Sequence, residues 1–260
     1  IMESFDKARW QEIAQRCAAA GCDALELNFS CPHGHPETGM GAAMGQDPAQ
    51  VEEVTRWVVD AVDIPVWSKM TPNITDITVP AAAAMRGGAS GVSAINTILG
   101  VIGVNMKNLR PLPTVEGHSI PGGYSYLAVK PIALRMVMEL AVSNREMAIS
   151  AIGGVTNSKD AFEHILMGGK TVQVCTGAML QGFGMVTELI EGMEKYLDQH
   201  GFECLEDAVG HSLQHFSTHH DLVEMQVARK AQKAAALANK DTEWGREDVK
   251  TQTASLVSDE

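Results

Sequence analysis

The chain has 260 residues, 45% of them apolar, and a formal charge of −12. That length and apolar content suit one large α/β domain or two small ones, while the acidic balance argues against nucleic acid and anionic membrane surfaces as partners. No apolar run approaches the roughly 20 residues of a membrane span, so no membrane partner is expected.

In chain order, residues 6–20 set Trp10, Ile13, Ala14 and Cys17 on one helical face and stop at Gly21. A strand is expected at 24–28 (ALELN). The string GMGAAMG at 39–45 imitates a dinucleotide fingerprint, but it does not directly follow a strand and its spacing is wrong. Asp47-Pro48 then supplies an N-cap and a Pro at the first helical position, ahead of an apolar face of Val51, Val54, Trp57, Val58 and Ala61. Further strands are expected at 65–69, 91–96, 148–152 and 171–175, with helices at 76–86, 131–143, 158–167 and 182–199. The strands read as apolar runs without polar alternation, as parallel strands covered on both faces would. Residues 97–130 read as a long loop with no regular element, the kind that serves as a lid or binding loop. Helices are expected again at 205–216 and 221–239, before a polar tail.

Alternating strands and helices mean a parallel sheet. Five strand–helix units are visible where a closed barrel needs eight. Asn28, Lys69, Asn96, Gly153 and Thr176 all fall at C-terminal ends of successive strands. In a barrel such ends converge on one site, whereas an open sheet would string them along an edge. The barrel is the better reading. Ile1 lies in what reads as the end of an apolar segment, so the first strands, and any targeting signal, are expected to be missing. The expected organisation is a truncated (β/α)8 barrel over 1–203 and a helical extension with a polar tail over 204–260.

The turns in SAIGGVTNSKDA and VQVCTGAM end the last two strands, and bare Gly-Gly and Thr-Gly turns let backbone N–H groups approach an anion. As a pair on the final strands of a barrel they favour phosphate over simple chain reversal. Lys69 at a strand end is costly without an anionic partner; a surface lysine is the plainer alternative. Asn28 and Asn96 offer carboxamides that suit a ring of alternating N–H and C=O groups, or merely end their strands. Five scattered cysteines (Cys17, Cys22, Cys31, Cys175, Cys204) form no CxxC, which signals neither an iron–sulfur cluster nor a zinc ribbon, and suggests a reducing compartment. Two metal patterns, Cys31-x-His33-x-His35 and His211, His215, His219, lack further partners at ligand spacing. They read as solvated histidines.

The strings LELNFSCPHG, KMTPNITDI, AINTI, PGGYSYLAVKPIAL, IGGV and VQVCTGAM together resemble the flavin-binding barrel of the dihydropyrimidine dehydrogenase (NADP+) family, itself related to dihydroorotate dehydrogenase. The resemblance runs from residue 1 to about 225 and is nearest to the short, plant-type form without iron–sulfur clusters. It implies FMN held by Lys69, Asn96, Thr97, Gly153, Gly154 and Thr176, with Cys175 beside the phosphate. It also implies pyrimidine contacts from Asn28, Asn96 and Thr97 with Glu26 and Ser30 nearby, and Cys31 as the catalytic acid. NADPH would be the reductant, uracil or thymine the substrate, and a homo-oligomer in the cytoplasm or a plastid the expected setting. Tyr126 departs from the family, standing where many relatives carry a Gly that approaches the flavin. Two alternatives stay open: oxidation of dihydroorotate, and a non-catalytic flavoprotein fragment or subunit.

Overall fold

The computed structural model describes residues 1–31 and 39–244, with side chains as far as 237. Its first compact unit runs from Ile1 to Gln214 and its second from His215 onward. In chain order the first unit contains α1 (Lys7–Ala19), β1 (Leu25–Asn28), α2 (Ala42–Gly45), α3 (Pro48–Val59), β2 (Val66–Lys69), α4 (Thr78–Arg86) and β3 (Gly91–Ala94). Four short strands follow: β4 (Ile98–Gly100), β5 (Gly103–Asn105), β6 (Arg110–Leu112) and β7 (Gly122–Tyr124). Then come α5 (Lys130–Ser143), β8 (Ile149–Ile152), α6 (Ser158–Leu166), β9 (Thr171–Gln173), α7 (Thr176–Gln181), α8 (Gly184–His200) and α9 (Leu205–Ala208). The second unit holds α10 (His219–Trp244).

Local signals explain the helix starts. Asp6 accepts from the Arg9 N–H, and Asp47 from those of Ala49 and Gln50, so side-chain oxygens satisfy otherwise orphaned donors. Thr218 and Asp221 cap α10 reciprocally, each side chain accepting from the other's backbone N–H.

The main sheet is parallel throughout, in the order β1-β2-β3-β8-β9. Its register pairs Asn28 with Lys69, Lys69 with Ser93, Ala94 with Ala151 and Ile152 with Gln173, so the C-terminal strand ends lie level. Leu25, Leu27, Val66, Val92 and Ile149 leave the sheet on one face and are buried among α1, α3, α4 and α5 side chains such as Trp10, Val54, Ala84 and Leu140. Each such side chain contributes about 1.5–3 kcal/mol by leaving water. This is the α/β architecture of the TIM-barrel type.

Three expectations need correction. Two of the strands alternate: β1 and β2 bury every second residue, whereas β3 is buried at every position as expected, and the opposite face carries Glu26, Asn28, Lys69 and Gln173, which are only half-buried. Helices cover one face, while the other is a polar, concave surface. Second, 97–130 is not a bare loop. β4 pairs antiparallel with β7, and β5 with β6, and Asn73 anchors the base of this arm by bonding the Thr97 carbonyl and the Leu99 N–H. Third, the expected helix at 205–216 divides into α9 and a 3₁₀ turn, His211–His215. Ala208 and Leu213 are buried in the first unit, which carries that unit past residue 203. No helix among the described residues is long and apolar enough to cross a membrane.

Candidate active site

Level strand ends place a cavity of about 560 Å³ at the C-terminal edge of the sheet, within the usual range for small-ligand sites. Nine of the eleven residues singled out in the sequence line it: Glu26, Asn28, Lys69, Asn96, Thr97, Gly153, Gly154, Cys175 and Thr176. Ser30 and Cys31 do not. Ser30 is buried behind Asn28 and bonds its Oδ1 at 3.0 Å, while Asn96 Nδ2 donates to Ser30 Oγ at 2.7 Å. The two carboxamides are thus held in place through one hydroxyl. Cys31 is half-buried beyond Ser30, and its carbonyl accepts from the Ala42 N–H.

Gly41 and Gly45 of GMGAAMG have a packing reason, whereas a Cβ on Gly39 would meet nothing among the described residues. A Cβ on Gly45 would sit 1.8 Å from the Phe29 carbonyl oxygen, so α2 can lie against the backbone after β1 only without side chains there. His33 and His35 lie outside the described residues. Among the described residues, no three His, Cys, Asp or Glu side chains converge as a metal site would require.

Lys69 has the anionic partner its position demands. Its Nζ lies 3.1 Å from Glu26 Oε1 and 3.1 Å from Gln173 Oε1. Glu26 Oε2 accepts from Ser93 Oγ at 2.6 Å and from Gln173 Nε2 at 2.9 Å, and Gln173 Nε2 also reaches Ser150 Oγ at 3.0 Å. One polar network therefore crosses all five strands. Burial pushes the Glu26 carboxyl up, but the bonds from Ser93 and Gln173 and the Lys69 ammonium outweigh it and hold it below the usual carboxylate range. Sequence reasoning missed Gln173, Ser93 and Ser150; their signal was the polar position alternating with Val or Ala in each strand.

At the other end of the cavity lie the two glycine turns. Gly153 and Gly154 have φ of 141° and 73°, and a Cβ on Gly154 would stand 2.4 Å from Lys130 Cβ. A Cβ on Gly177 would fall 2.8 Å from the Val155 carbonyl oxygen, so the turns after β8 and β9 touch. The N–H groups of Gly154, Val155, Thr176 and Gly177 donate to no acceptor among the described residues. The Thr176 and Ser125 hydroxyls are 3.1 Å apart. Behind the first turn, Asp160 pairs with Lys130 and accepts from the Thr156 N–H at 2.9 Å, and His164 Nε2 bonds the Gly153 carbonyl at 3.0 Å. Burial alone would raise the Asp160 pKa, yet Lys130 and Thr156 bring it below its ordinary value.

This donor set fits FMN. Adjacent N–H groups, a hydroxyl pair and a space that a Cβ would fill suit a phosphate, and Lys69 with two fixed carboxamides suits a polar ring system.

The dihydroorotate dehydrogenase family signature matches residues 4–197. The chain is 49% identical over 267 residues to the chloroplastic dihydropyrimidine dehydrogenase (NADP(+)) of Arabidopsis thaliana, covering 99% of this chain and 62% of that one. It is 40% identical over 207 residues to the NAD-dependent dihydropyrimidine dehydrogenase subunit PreA of Escherichia coli K12, covering 79% of this chain and 50% of that one. The catalytic subunit of Pyrococcus horikoshii dihydroorotate dehydrogenase B (NAD(+)) is 43% identical over 191 residues, 74% of this chain and 60% of its own length. The chain thus spans only part of the curated relatives it matches. Among solved structures, the Eimeria tenella enzyme DHODH in complex with ferulenol superposes with a TM-score of 0.64 at 20% identity, over 79% of this chain and 58% of that one. That likeness is one of fold.

Proposed function

Because the chain belongs to the dihydroorotate dehydrogenase family, we propose that it forms the cofactor- and substrate-binding part of a flavin-dependent pyrimidine oxidoreductase. The reaction we assign is NADPH-driven reduction of uracil or thymine to the dihydropyrimidine. The observation that carries this reading is the cavity itself, with a fixed Lys69, two oriented carboxamides and a glycine-lined donor cluster along one row of strand ends. The similarity to the Arabidopsis enzyme over nearly the whole chain supports the choice of substrate class.

Bound FMN would supply the hydride that reaches carbon six of the pyrimidine. The Gly153-Gly154 turn and Thr176 would hold its phosphate. Two of the three Lys69 N–H donors are engaged by Glu26 and Gln173; the third would stabilise negative charge beside the ring. Asn28 and Asn96, fixed through Ser30, would orient the alternating N–H and C=O groups of the substrate. Cys31, three residues beyond Asn28, would give the proton to carbon five, which completes the addition of two hydrogens across the bond.

The test is flavin absorbance of the purified protein, followed by NADPH oxidation with uracil and with dihydroorotate as alternative substrates. Yellow protein that turns over uracil in preference to dihydroorotate supports the assignment. A well-folded colourless protein, or preference for dihydroorotate, overturns it.

A further inference from the structure

Three non-glycine residues among the described ones adopt left-handed backbone: Leu109, Glu116 and Tyr126. Leu109 and Glu116 are exposed residues of the hairpin arm. Tyr126, at φ 70°, lines the cavity instead. Glycine would adopt that backbone without strain, whereas a bulky side chain is a steric outlier there. Strain of this kind persists where the surroundings compensate for it, and it clusters at functional sites.

The surroundings are specific. Tyr126 OH accepts from Gln181 Nε2 at 3.4 Å, and the same amide donates to the Thr156 carbonyl at 3.1 Å. The preceding residue, Ser125, bonds Thr176. Consecutive residues thus fasten the segment after the hairpin arm to both glycine turns, through Thr176 and Gln181 on α7 and through Thr156 after β8. The phenol accepts from Gln181, and its own proton has no acceptor among the described residues.

We infer that Tyr126 is a retention clasp: its ring closes the phosphate end of the cavity and its hydroxyl donates to an anionic oxygen of the bound mononucleotide. This rests on the FMN reading above. Changes at such a contact act chiefly on the rate of release.

The experiment measures FMN release from the holoprotein into an excess of a flavin-binding scavenger, alongside thermal unfolding of the cofactor-free protein. Three forms are compared: wild type, Tyr126→Phe and Tyr126→Gly. Losing one hydrogen bond to a charged oxygen should speed release about ten- to hundredfold in Tyr126→Phe without moving the unfolding midpoint. Tyr126→Gly should release FMN faster still while its cofactor-free form unfolds no lower than wild type. Riboflavin, which lacks the phosphate, should bind wild type and Tyr126→Phe alike. Equal FMN release from all three proteins overturns the inference. So does a fall in stability that parallels the loss of flavin in Tyr126→Gly, because Tyr126 would then be a packing residue only. Wild-type protein that takes up no FMN removes the underlying reading, and the inference with it.

Discussion

Lys69→Met tests the centre of the site, because methionine keeps most of the apolar stem and removes only the ammonium. Within the fold the change separates Glu26 and Gln173 from a shared donor, 3.1 Å from each. Glu26 still keeps its bonds from Ser93 and Gln173, and its side chain is 35% exposed. Water can therefore replace part of what is lost, and the destabilisation should be only about 1 kcal/mol after discounting for screening. Flavin binding has no such compensation. A hydrogen bond from a charged donor contributes about 1.5–3 kcal/mol, so FMN affinity should fall roughly ten- to hundredfold. The two effects separate cleanly: urea unfolding of the cofactor-free protein reads the first, and quenching of flavin fluorescence on titration reads the second. Glu26→Gln supplies the opposite arm. It leaves the ammonium charged and releases it from its carboxylate, so it should lower stability without lowering FMN affinity. Lys69→Met protein that binds FMN as tightly as wild type, and is reduced as fast, would refute the role assigned to this residue.

Three further outcomes are expected. Cys31→Ala should retain flavin and bind uracil but lose about 10²–10⁴-fold in steady-state turnover, the usual range for a general acid, whereas Cys204→Ala should be near normal. Gly154→Ala should cost about 1–3 kcal/mol in denaturant unfolding and weaken FMN binding, because its added methyl meets Lys130 on backbone of left-handed φ. Asp160, buried and held below its ordinary pKa, contributes stability that is complete above the unfolded carboxyl value of about 3.9 and is lost as pH falls below it. Asp160→Asn should therefore be less stable than wild type at neutral pH, and a urea series should show the gap closing as the pH drops under about 4. A gap that stays constant with pH would count against the Lys130–Asp160 support of the glycine turn.

The parts of the fold that were legible in sequence are those whose signals are local. Asp47-Pro48 and the apolar positions Val51, Val54 and Val58 predict α3, and all three valines are fully buried. The five long-range strands were found within two residues because their apolar runs are interrupted by glycine or polar turns. Elements that depend on distant partners were not found. Helix α7 has six residues, too few to form alone, and it exists because Gly177 fits against Val155 and Met185. The strands of the hairpin arm have three residues each, and Arg110–Leu112 is exposed throughout, so no periodicity marks them. Among the site residues, the strand-end Asn, Lys and glycine positions could be read from where strands stop. The Ser93–Ser150–Gln173 ladder could not, because a lone Ser inside a short apolar strand looks like a tolerated core residue until the register aligns it with its neighbours.

That ladder bears on how a ligand must lie. Glu26 is the single carboxylate lining the cavity among the described residues, and it is already paired with Lys69. An anionic group placed there would meet a carboxylate as well as an ammonium, so the end is close to neutral and suits a polar ring better than a phosphate. The opposite end has backbone N–H groups of two glycine turns and two hydroxyls, with no carboxylate among the described residues lining it. An anion gains donors there without a competing acid. The charge arrangement alone therefore orients a molecule that is anionic at one end and flat and polar at the other. The flat end is directed toward Lys69, Asn96 and Asn28, on the side from which the chain continues to Cys31. Reversing the polarity should abolish the preference: with Lys69→Glu the ring end becomes acidic, and FMN should lose affinity more than in Lys69→Met, since repulsion is added to the lost bond. Equal affinities for the two variants, measured by the same fluorescence titration, would mean that Lys69 and the flavin are not neighbours.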